Sequence, residues 1–220
     1  SVWSSDVCSS DLRLIEKSDK FIVPLAVGAQ LIDWGVPRDK IVELDWWQEY
    51  RLDQNLMIAA TPALHFSGRG IADRNKTLWA SWVIKTPFHK PFFSGDSGYF
   101  GGFKQIGDRY GPFDMTFIEC GAYGEGWPKV HMFPEQTVQA HVDLKGTVLH
   151  PIHWGTFNLA LHPWYEPMVR LTAAANLNNV KTATPVVGET TVYISSIPTA
   201  RWWEQSMENS GGVITTAIIE

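Results

Sequence analysis

The strongest constraint on the fold is a short break that interrupts an apolar run and carries a single carboxylate. In residues 91–99, two adjacent phenylalanines are followed by Ser-Gly-Asp-Ser-Gly, with Asp96 at the centre. Glycine on both sides of an aspartate lets the backbone turn sharply, so the Asp96 side chain can project beyond the edge of a sheet. A Gly-Asp pair after a strand is most often only a turn. A functional interpretation therefore requires other polar side chains that also follow strands.

Two histidines meet that requirement. A predicted strand at residues 56–61 passes into a loop at His65, and another at residues 147–152 ends directly before His153. Because strand ends at one edge of a layered sheet converge in space, we expect both histidines to lie close to Asp96. Imidazole and carboxylate are ligands that suit zinc and related divalent ions, and a carboxylate can bridge two ions through its two oxygens. The sequence therefore predicts a metal site at this edge.

The other histidines differ in placement. His150 belongs to the same predicted strand as His153 but lies three residues earlier, so period-two alternation puts it on the opposite face. It is therefore a poor co-ligand. Three further histidines follow no strand end, and we interpret them as structural or exposed: His89, His141 and His162.

A long glycine-rich loop at residues 121–131 contains Tyr123 and His131. Loops of this length in compact domains are often functional. We expect Tyr123 to bind substrate as a hydrogen-bond donor and His131 to protonate a leaving group, because imidazole exchanges protons near neutral pH. An ordinary surface-loop histidine is an equally weighted alternative for His131.

Hydrophobic periodicity predicts one layered α/β domain without internal repeats. The segment after residue 200 has too little periodicity to assign. A hairpin is expected between the strand at residues 78–84 and the apolar run before Asp96. The predicted strands cover residues 21–27, 41–44, 56–61, 78–84, 115–119, 147–152 and 190–195, and the predicted helices cover residues 30–34, 99–110, 134–144 and 167–177.

Composition excludes several classes of function. The chain has 220 residues, a formal net charge of -5 and a pI near 5.8, so it carries no basic footprint for a nucleic-acid backbone. Its sequence contains no uninterrupted apolar run of the length that a membrane-spanning helix needs. Eleven tryptophans are compatible with peripheral contact with lipid. We expect a cytoplasmic protein that can approach a membrane surface.

The first twelve residues do not resemble the rest of the chain. Ser-Ser-Asp occurs twice in residues 1–12 without apolar periodicity, and back-translation of this segment resembles a sequencing adapter. We therefore interpret residues 1–12 as a non-native scar and residues 13–220 as the C-terminal part of one domain. Excluding the scar leaves Cys120 without a disulfide partner, which weakly favours a reducing compartment.

Six motifs, taken together and in order, resemble the metallo-β-lactamase-fold hydrolases. More narrowly, they are similar to the branch typified by N-acyl-phosphatidylethanolamine phospholipase D and its bacterial relatives. The motifs are Thr-Pro-Ala-Leu-His-Phe-Ser-Gly-Arg at residues 61–69, Leu-Trp-Ala-Ser-Trp at 78–82, Phe-Ser-Gly-Asp-Ser-Gly-Tyr at 93–99, Gly-Pro-Phe-Asp at 111–114, Gly-Ala-Tyr at 121–123 and Ile-His-Trp-Gly-Thr-Phe at 152–157.

The resemblance implies an αββα sandwich with two metal ions, usually zinc, at one edge of its sheets. By position, His65 and His153 resemble metal-ligating histidines of the family, and Asp96 resembles the aspartate that bridges both ions. It also implies hydrolysis of a phosphodiester by a metal-activated hydroxide, with a phospholipid or small molecule as substrate. A sugar-phosphate lactonase on the same fold is the alternative enzyme.

One family signature is missing from these residues. The His-x-His-x-Asp-His loop that supplies four ligands in the family does not occur in the chain, and by position it should precede residue 13. We therefore expect the complete protein to be a dinuclear hydrolase, whereas these 220 residues alone should bind metal poorly and catalyse little. The non-enzymatic alternative is a non-catalytic fragment.

Overall fold

The computed structural model describes residues 14–68, 73–157, 159–192 and 195–209. The predicted scar at residues 1–12 lies outside them, so its lack of packing stays a prediction. The strands are β1 (Phe21–Pro24), β2 (Ile41–Leu44), β3 (Glu49–Arg51), β4 (Met57–Thr61), β5 (Ser81–Lys85), β6 (Pro91–Phe93), β7 (Phe113–Glu119), β8 (Gly146–Ile152) and β9 (Lys181–Thr182). The helices are α1 (Gly28–Asp33), α2 (Gly102–Tyr110), α3 (Pro134–Asp143), α4 (Glu166–Leu177) and α5 (Trp202–Asn209), with a 3₁₀ turn at Arg38–Lys40.

Strands β3 to β9 form one seven-stranded sheet in sequence order, and β1 and β2 form a separate parallel pair. The first half of the large sheet, from β3 to β6, is antiparallel. The second half, from β6 to β9, is parallel. Parallel neighbours need a crossover, and α2, α3 and α4 supply the three crossovers in turn. Parallel crossover connections are right-handed, and β6 to β9 lie side by side in sequence order. The three crossover helices therefore lie on the same face of the sheet.

The main core lies between these helices and the sheet. Helix α2 buries residues at helical spacing, and its Phe103 packs edge-to-face on Phe92 of β6 with ring centroids 6.3 Å apart. Phe92 also contacts Phe113 of β7 at 5.5 Å. The opposite face of the sheet carries a smaller apolar cluster around Met115 and Val148.

The structure confirms the central elements of the sequence prediction and corrects others. The predicted hairpin is formed, because Val83 of β5 pairs with Phe92 of β6. Strand β5 begins at Ser81 rather than at residue 78, since Trp79 turns aside and donates its indole N–H to the carbonyl of Ala63. Helix α2 begins at Gly102 rather than at residue 99.

The carboxyl-terminal prediction was wrong in two respects. In the described part of residues 190–195, no strand is formed, and Val192 makes only an isolated bridge with Ser196. The last strand is instead β9, a two-residue element after α4 that is too short to give a periodic signal. Helix α5, which was not assigned from the sequence, buries Trp203 completely.

Within the described ranges, the chain has no helix that is long enough and apolar enough to cross a membrane.

His141 of α3 is a structural histidine. It is 2% exposed, and its Nδ1 lies 2.7 Å from the hydroxyl oxygen of Thr116 on β7. Burial lowers the pKa of His141 to about 4. The imidazole is therefore neutral at neutral pH and ties α3 to the sheet.

This pKa predicts how stability depends on pH. In the unfolded chain His141 takes up a proton near pH 6.5, whereas in the folded chain it does so only near pH 4. Between these values the unfolded state binds more protons. The free energy of unfolding should therefore decrease as the pH is lowered from 6.5 to 4, by about 1.4 kcal/mol per pH unit and by roughly 3 kcal/mol in total. Urea unfolding across this range should show a shallower fall in His141→Gln.

The exposed turn histidine offers a matched control. His89→Gln should keep the slope of the wild type. Equal slopes in the wild type and His141→Gln would contradict the assignment.

Candidate metal centre

Three parallel strands deliver side chains to one edge of the large sheet. Strand β6 ends at Phe93, and Asp96 follows in the next turn. Strands β7 and β8 end together, because Glu119 pairs with Ile152 in the parallel ladder, and His153 comes directly after Ile152. The carboxyl ends of parallel strands are the usual position of binding sites in open α/β sheets.

Two glycines allow the loops at this edge to approach closely. A Cβ on Gly121 would lie 2.1 Å from the carbonyl oxygen of His153, and a Cβ on Gly98 would lie 2.6 Å from the main chain of Lys129. The first contact packs the loop after β7 onto β8, and the second packs the turn after β6 onto the part of the loop that leads to His131. His153 itself has φ of +63°, a left-handed conformation that is rare for residues other than glycine.

Five side chains converge at this edge. His153 Nε2 lies 3.5 Å from Asp96 Oδ1. One ligand atom each of His65, Asp96 and His131 lies within 4.8 Å of the others, and the same holds for Glu119, His131 and His153. The structure thus brings together the three predicted ligands and the predicted acid. It adds Glu119, which the sequence prediction missed.

His65 tests whether these residues suit a cation. Its Nδ1–H donates to the carbonyl oxygen of Phe66 at 2.8 Å, and the two rings stack at 4.7 Å. Its Nε2 is buried without a hydrogen-bond partner among the described residues. Burial lowers the pKa of His65, which favours the neutral imidazole. A buried nitrogen with a free lone pair, close to a carboxylate, fits a divalent metal ion.

Glu119 lies beneath the cluster and is completely buried. Its Oε1 accepts the backbone N–H of Met132 at 2.6 Å, and its Oε2 lies 3.2 Å from His131 Nδ1. Burial raises the pKa of Glu119 well above its ordinary value, opposed by the Met132 N–H and by His153. A sequence signal was available, because Glu119 is the last residue of the predicted strand at residues 115–119, just as His153 directly follows the predicted strand at residues 147–152.

His131 lies next to each of the other two imidazoles. Its ring centroid is 5.5 Å from that of His65 and 5.2 Å from that of His153, and the second pair is stacked. Burial lowers the pKa of His131, and the neighbouring Asp96 opposes that shift. The alternative that His131 is an ordinary surface-loop residue does not fit this position, since its side chain is only 14% exposed.

The structure does not bring Tyr123 into the cluster. Its hydroxyl donates to Glu166 Oε1 at 2.7 Å, its ring stacks on His162 at 4.1 Å, and the guanidinium of Arg170 lies 5.0 Å from the ring centroid. Burial and the bond to Glu166 raise the pKa of Tyr123. These contacts hold the loop against α4, and a direct role in binding substrate stays a prediction.

A cavity of about 260 Å³ opens beside His153. Aromatic and aliphatic side chains form much of its lining, and the polar groups are few. The lining includes Trp154, Phe157, Leu159, His162 and Trp164.

Comparison with known families identifies the chain. A sequence model described as the Beta-lactamase superfamily domain matches residues 6–154, which is more than half of the chain. The chain belongs to the beta-lactamase superfamily. The family predicted from the six motifs is thereby confirmed.

Relatives of this superfamily member include proteins with and without an assigned activity. An uncharacterised protein of Mycobacterium tuberculosis is 49% identical over 186 residues, which is 83% of this chain and 50% of the relative. The mitochondrial N-acyl-phosphatidylethanolamine-hydrolyzing phospholipase D of Saccharomyces cerevisiae is 32% identical over 173 residues, 74% of this chain and 36% of the relative. The chain spans about half the length, or less, of these curated relatives.

Solved structures confirm the fold class. A metallo hydrolase of the archaeon Ignicoccus hospitalis superposes with a TM-score of 0.65 at 22% identity, covering 83% of this chain and 72% of that one. A metallo-β-lactamase fold protein of Bacillus subtilis superposes with a TM-score of 0.51 at 14% identity, covering 73% and 61%. The superfamily member described here has the metallo-β-lactamase fold, consistent with the predicted αββα sandwich.

The close approach at Gly121 predicts a local effect of substitution. Gly121→Ala would press a methyl group onto the His153 carbonyl, and overpacking of this kind costs about 1 to 3 kcal/mol. Urea unfolding should show that loss. Gly126→Ala in the same loop is the control, because a Cβ there meets nothing within 4 Å. Equal stabilities of the two variants would contradict the proposed packing of the loop on β8.

Proposed function

We propose that the complete protein is a metal-dependent hydrolase and, more narrowly, a phosphodiesterase of the N-acyl-phosphatidylethanolamine phospholipase D type. The observation that carries the proposal is the buried, unpartnered Nε2 of His65 beside the carboxylate of Asp96. A lone pair held in this way is costly unless a ligand uses it. Membership of the superfamily supports the same conclusion.

His65, Asp96 and His153 would hold the metal, which we propose to be two Zn²⁺ ions. Bound ions would supply Lewis acidity, which lowers the pKa of water and stabilises negative charge on a phosphate. Imidazole and carboxylate donors match zinc in ligand type.

The chain's own residues would then orient the reaction. Asp96 is 21% exposed and His153 27% exposed, so both side chains reach the surface of the site where a substrate can meet them. His131 would carry a proton to the leaving oxygen. A positioned acid of this kind contributes about 10²-fold to 10⁴-fold in rate.

The cavity beside His153 supports a lipid substrate over a sugar. Its lining of Trp154, Phe157 and Leu159 offers apolar surface and few groups that could pair with sugar hydroxyls. The yeast relative at 32% identity is named as hydrolysing N-acyl-phosphatidylethanolamine. We extend that substrate class to this protein as part of the proposal, together with a cytoplasmic site of action at a membrane surface.

Substitution of Asp96 tests the function directly. In the complete protein, which should contain the His-x-His-x-Asp-His loop, Asp96→Ala should abolish metal-dependent hydrolysis of N-acyl-phosphatidylethanolamine vesicles and lower the zinc content. His131→Ala should reduce the rate by roughly 10²-fold to 10⁴-fold while the zinc content stays the same. Rate and bound metal should be measured on the same samples.

Asp39→Ala is the matched control, since Asp39 is exposed and, among the described residues, accepts a hydrogen bond through its main-chain carbonyl rather than its side chain. It should keep full rate and full metal content. An Asp96→Ala protein that retains both would overturn the proposal. A wild type that ignores phosphodiesters but opens sugar-phosphate lactones would move the function to that alternative.

A further inference from the structure

We propose that Ser97 is a positioning residue whose buried hydroxyl fixes the segment that carries His65 relative to Asp96. The inference deepens the proposed function, since its consequence for metal binding rests on the centre proposed there. Its structural content stands on the hydrogen bonds of Ser97.

The strand pairing of the large sheet does not join these two candidate ligands. His65 lies in the loop after β4, and Asp96 lies in the turn after β6. The strand order places β5 between β4 and β6, so those two strands share no ladder. Contacts outside the strands must therefore hold the His65 segment close to the Asp96 turn.

Leu64, the residue before His65, makes such contacts through its main chain. Its carbonyl accepts the backbone N–H of Gly98 at 2.8 Å, and its own N–H donates to the hydroxyl of Ser97 at 3.0 Å. Both partners lie within two residues of Asp96. The bond to Gly98 joins two main chains and needs no side chain, whereas the bond to Ser97 requires a hydroxyl.

The hydroxyl of Ser97 is donor and acceptor at once. The residue is completely buried, and its O–H donates to the carbonyl of Gly98 at 2.8 Å. Since a carbonyl can only accept and a backbone N–H can only donate, the direction of both bonds is fixed. Alanine at this position would remove both bonds and deprive the Leu64 N–H of its acceptor, which is costly away from water.

The imidazole of His65 depends on where its main chain lies. The hydrogen bond of its ring is to the carbonyl of Phe66, the next residue, so that bond moves with the segment. Its other nitrogen, Nε2, is buried without a partner among the described residues. One ligand atom of His65 lies within 4.8 Å of one of Asp96, and the link from Leu64 to Ser97 helps to keep it there.

Ser97→Ala tests the link in the 220-residue chain itself, with chelator present. Amide hydrogen exchange is followed by NMR in leucine-labelled protein, and the Leu64 signal is identified by its loss in Leu64→Met. The Leu64 amide should be protected in the wild type and should exchange about 10-fold faster in Ser97→Ala, which is the effect of one lost hydrogen bond.

Ser81→Ala is the matched control. Ser81 is also completely buried, and its hydroxyl lies 2.7 Å from Thr61 Oγ1 and donates to the carbonyl of Pro62 at 2.9 Å. The backbone pairing of Thr61 with Ser81 remains after the substitution. This variant should lower the urea midpoint by an amount similar to that in Ser97→Ala, while the exchange rate of the Leu64 amide stays that of the wild type.

Zinc affinity separates positioning from ordinary stabilisation. In the complete protein, competition with a chelator should show zinc binding about 10-fold weaker in Ser97→Ala, the lower end of the range for groups that orient metal ligands. Ser81→Ala should bind zinc as the wild type does. Urea midpoints are measured on the same samples, so that an effect of lost stability alone would appear in both variants.

The outcomes separate the two proposals. A wild-type Leu64 amide that exchanges like an unprotected one would overturn this inference even if Ser97→Ala fails to fold. Equal zinc affinity in the wild type and folded Ser97→Ala, or an equal loss in both serine variants, would overturn it as well. If only Ser97→Ala loses affinity but the zinc-loaded wild type hydrolyses no phosphodiester, the proposed function fails and the role of Ser97 stands.

Discussion

The parallel pairing of β6, β7 and β8 is the constraint on which the site depends. The ladder fixes where each strand ends, so Glu119 and Ile152 lie side by side and the next residue, His153, enters the same edge. Helices α2 and α3 hold the pairing in place, because they supply the crossovers and bury the helix-facing side of the sheet. The strand pairing that stabilises the core therefore also sets the geometry of the candidate centre.

Sequence reasoning found the candidate ligands that follow directly after strands. Asp96 and His153 stand at breaks where periodicity ends and glycine is near, and such breaks are visible without a structure. The fold class and the superfamily, both confirmed, came from motifs around these same positions. Strand pairing was also accessible where alternation was regular, as in the hairpin of β5 and β6.

The misses have physical causes. Glu119 was overlooked because a charged residue that ends a strand normally points to water, and its complete burial arises from tertiary contacts with Met132 and His131. The position of Tyr123 could not be predicted either, because its hydroxyl is bound to Glu166 of α4, a partner 43 residues away; its role in binding substrate stays a prediction. Strand β9 is too short to show a period, and it exists because β8 offers it an edge. Pattern methods are sensitive to local order, and each of these features is set by distant contacts.

The left-handed backbone of His153 has a separate consequence. A non-glycine residue in that conformation is strained by about 1 to 3 kcal/mol, and here the strain is imposed by the chain reversal that follows β8. Glycine would adopt the same turn without the strain. Replacing His153 with glycine would therefore relieve this strain, and under the proposed function the histidine is retained for its imidazole despite that cost. Within a set of related chains, the residue at this single position could separate those that retain the centre from those that keep only its scaffold.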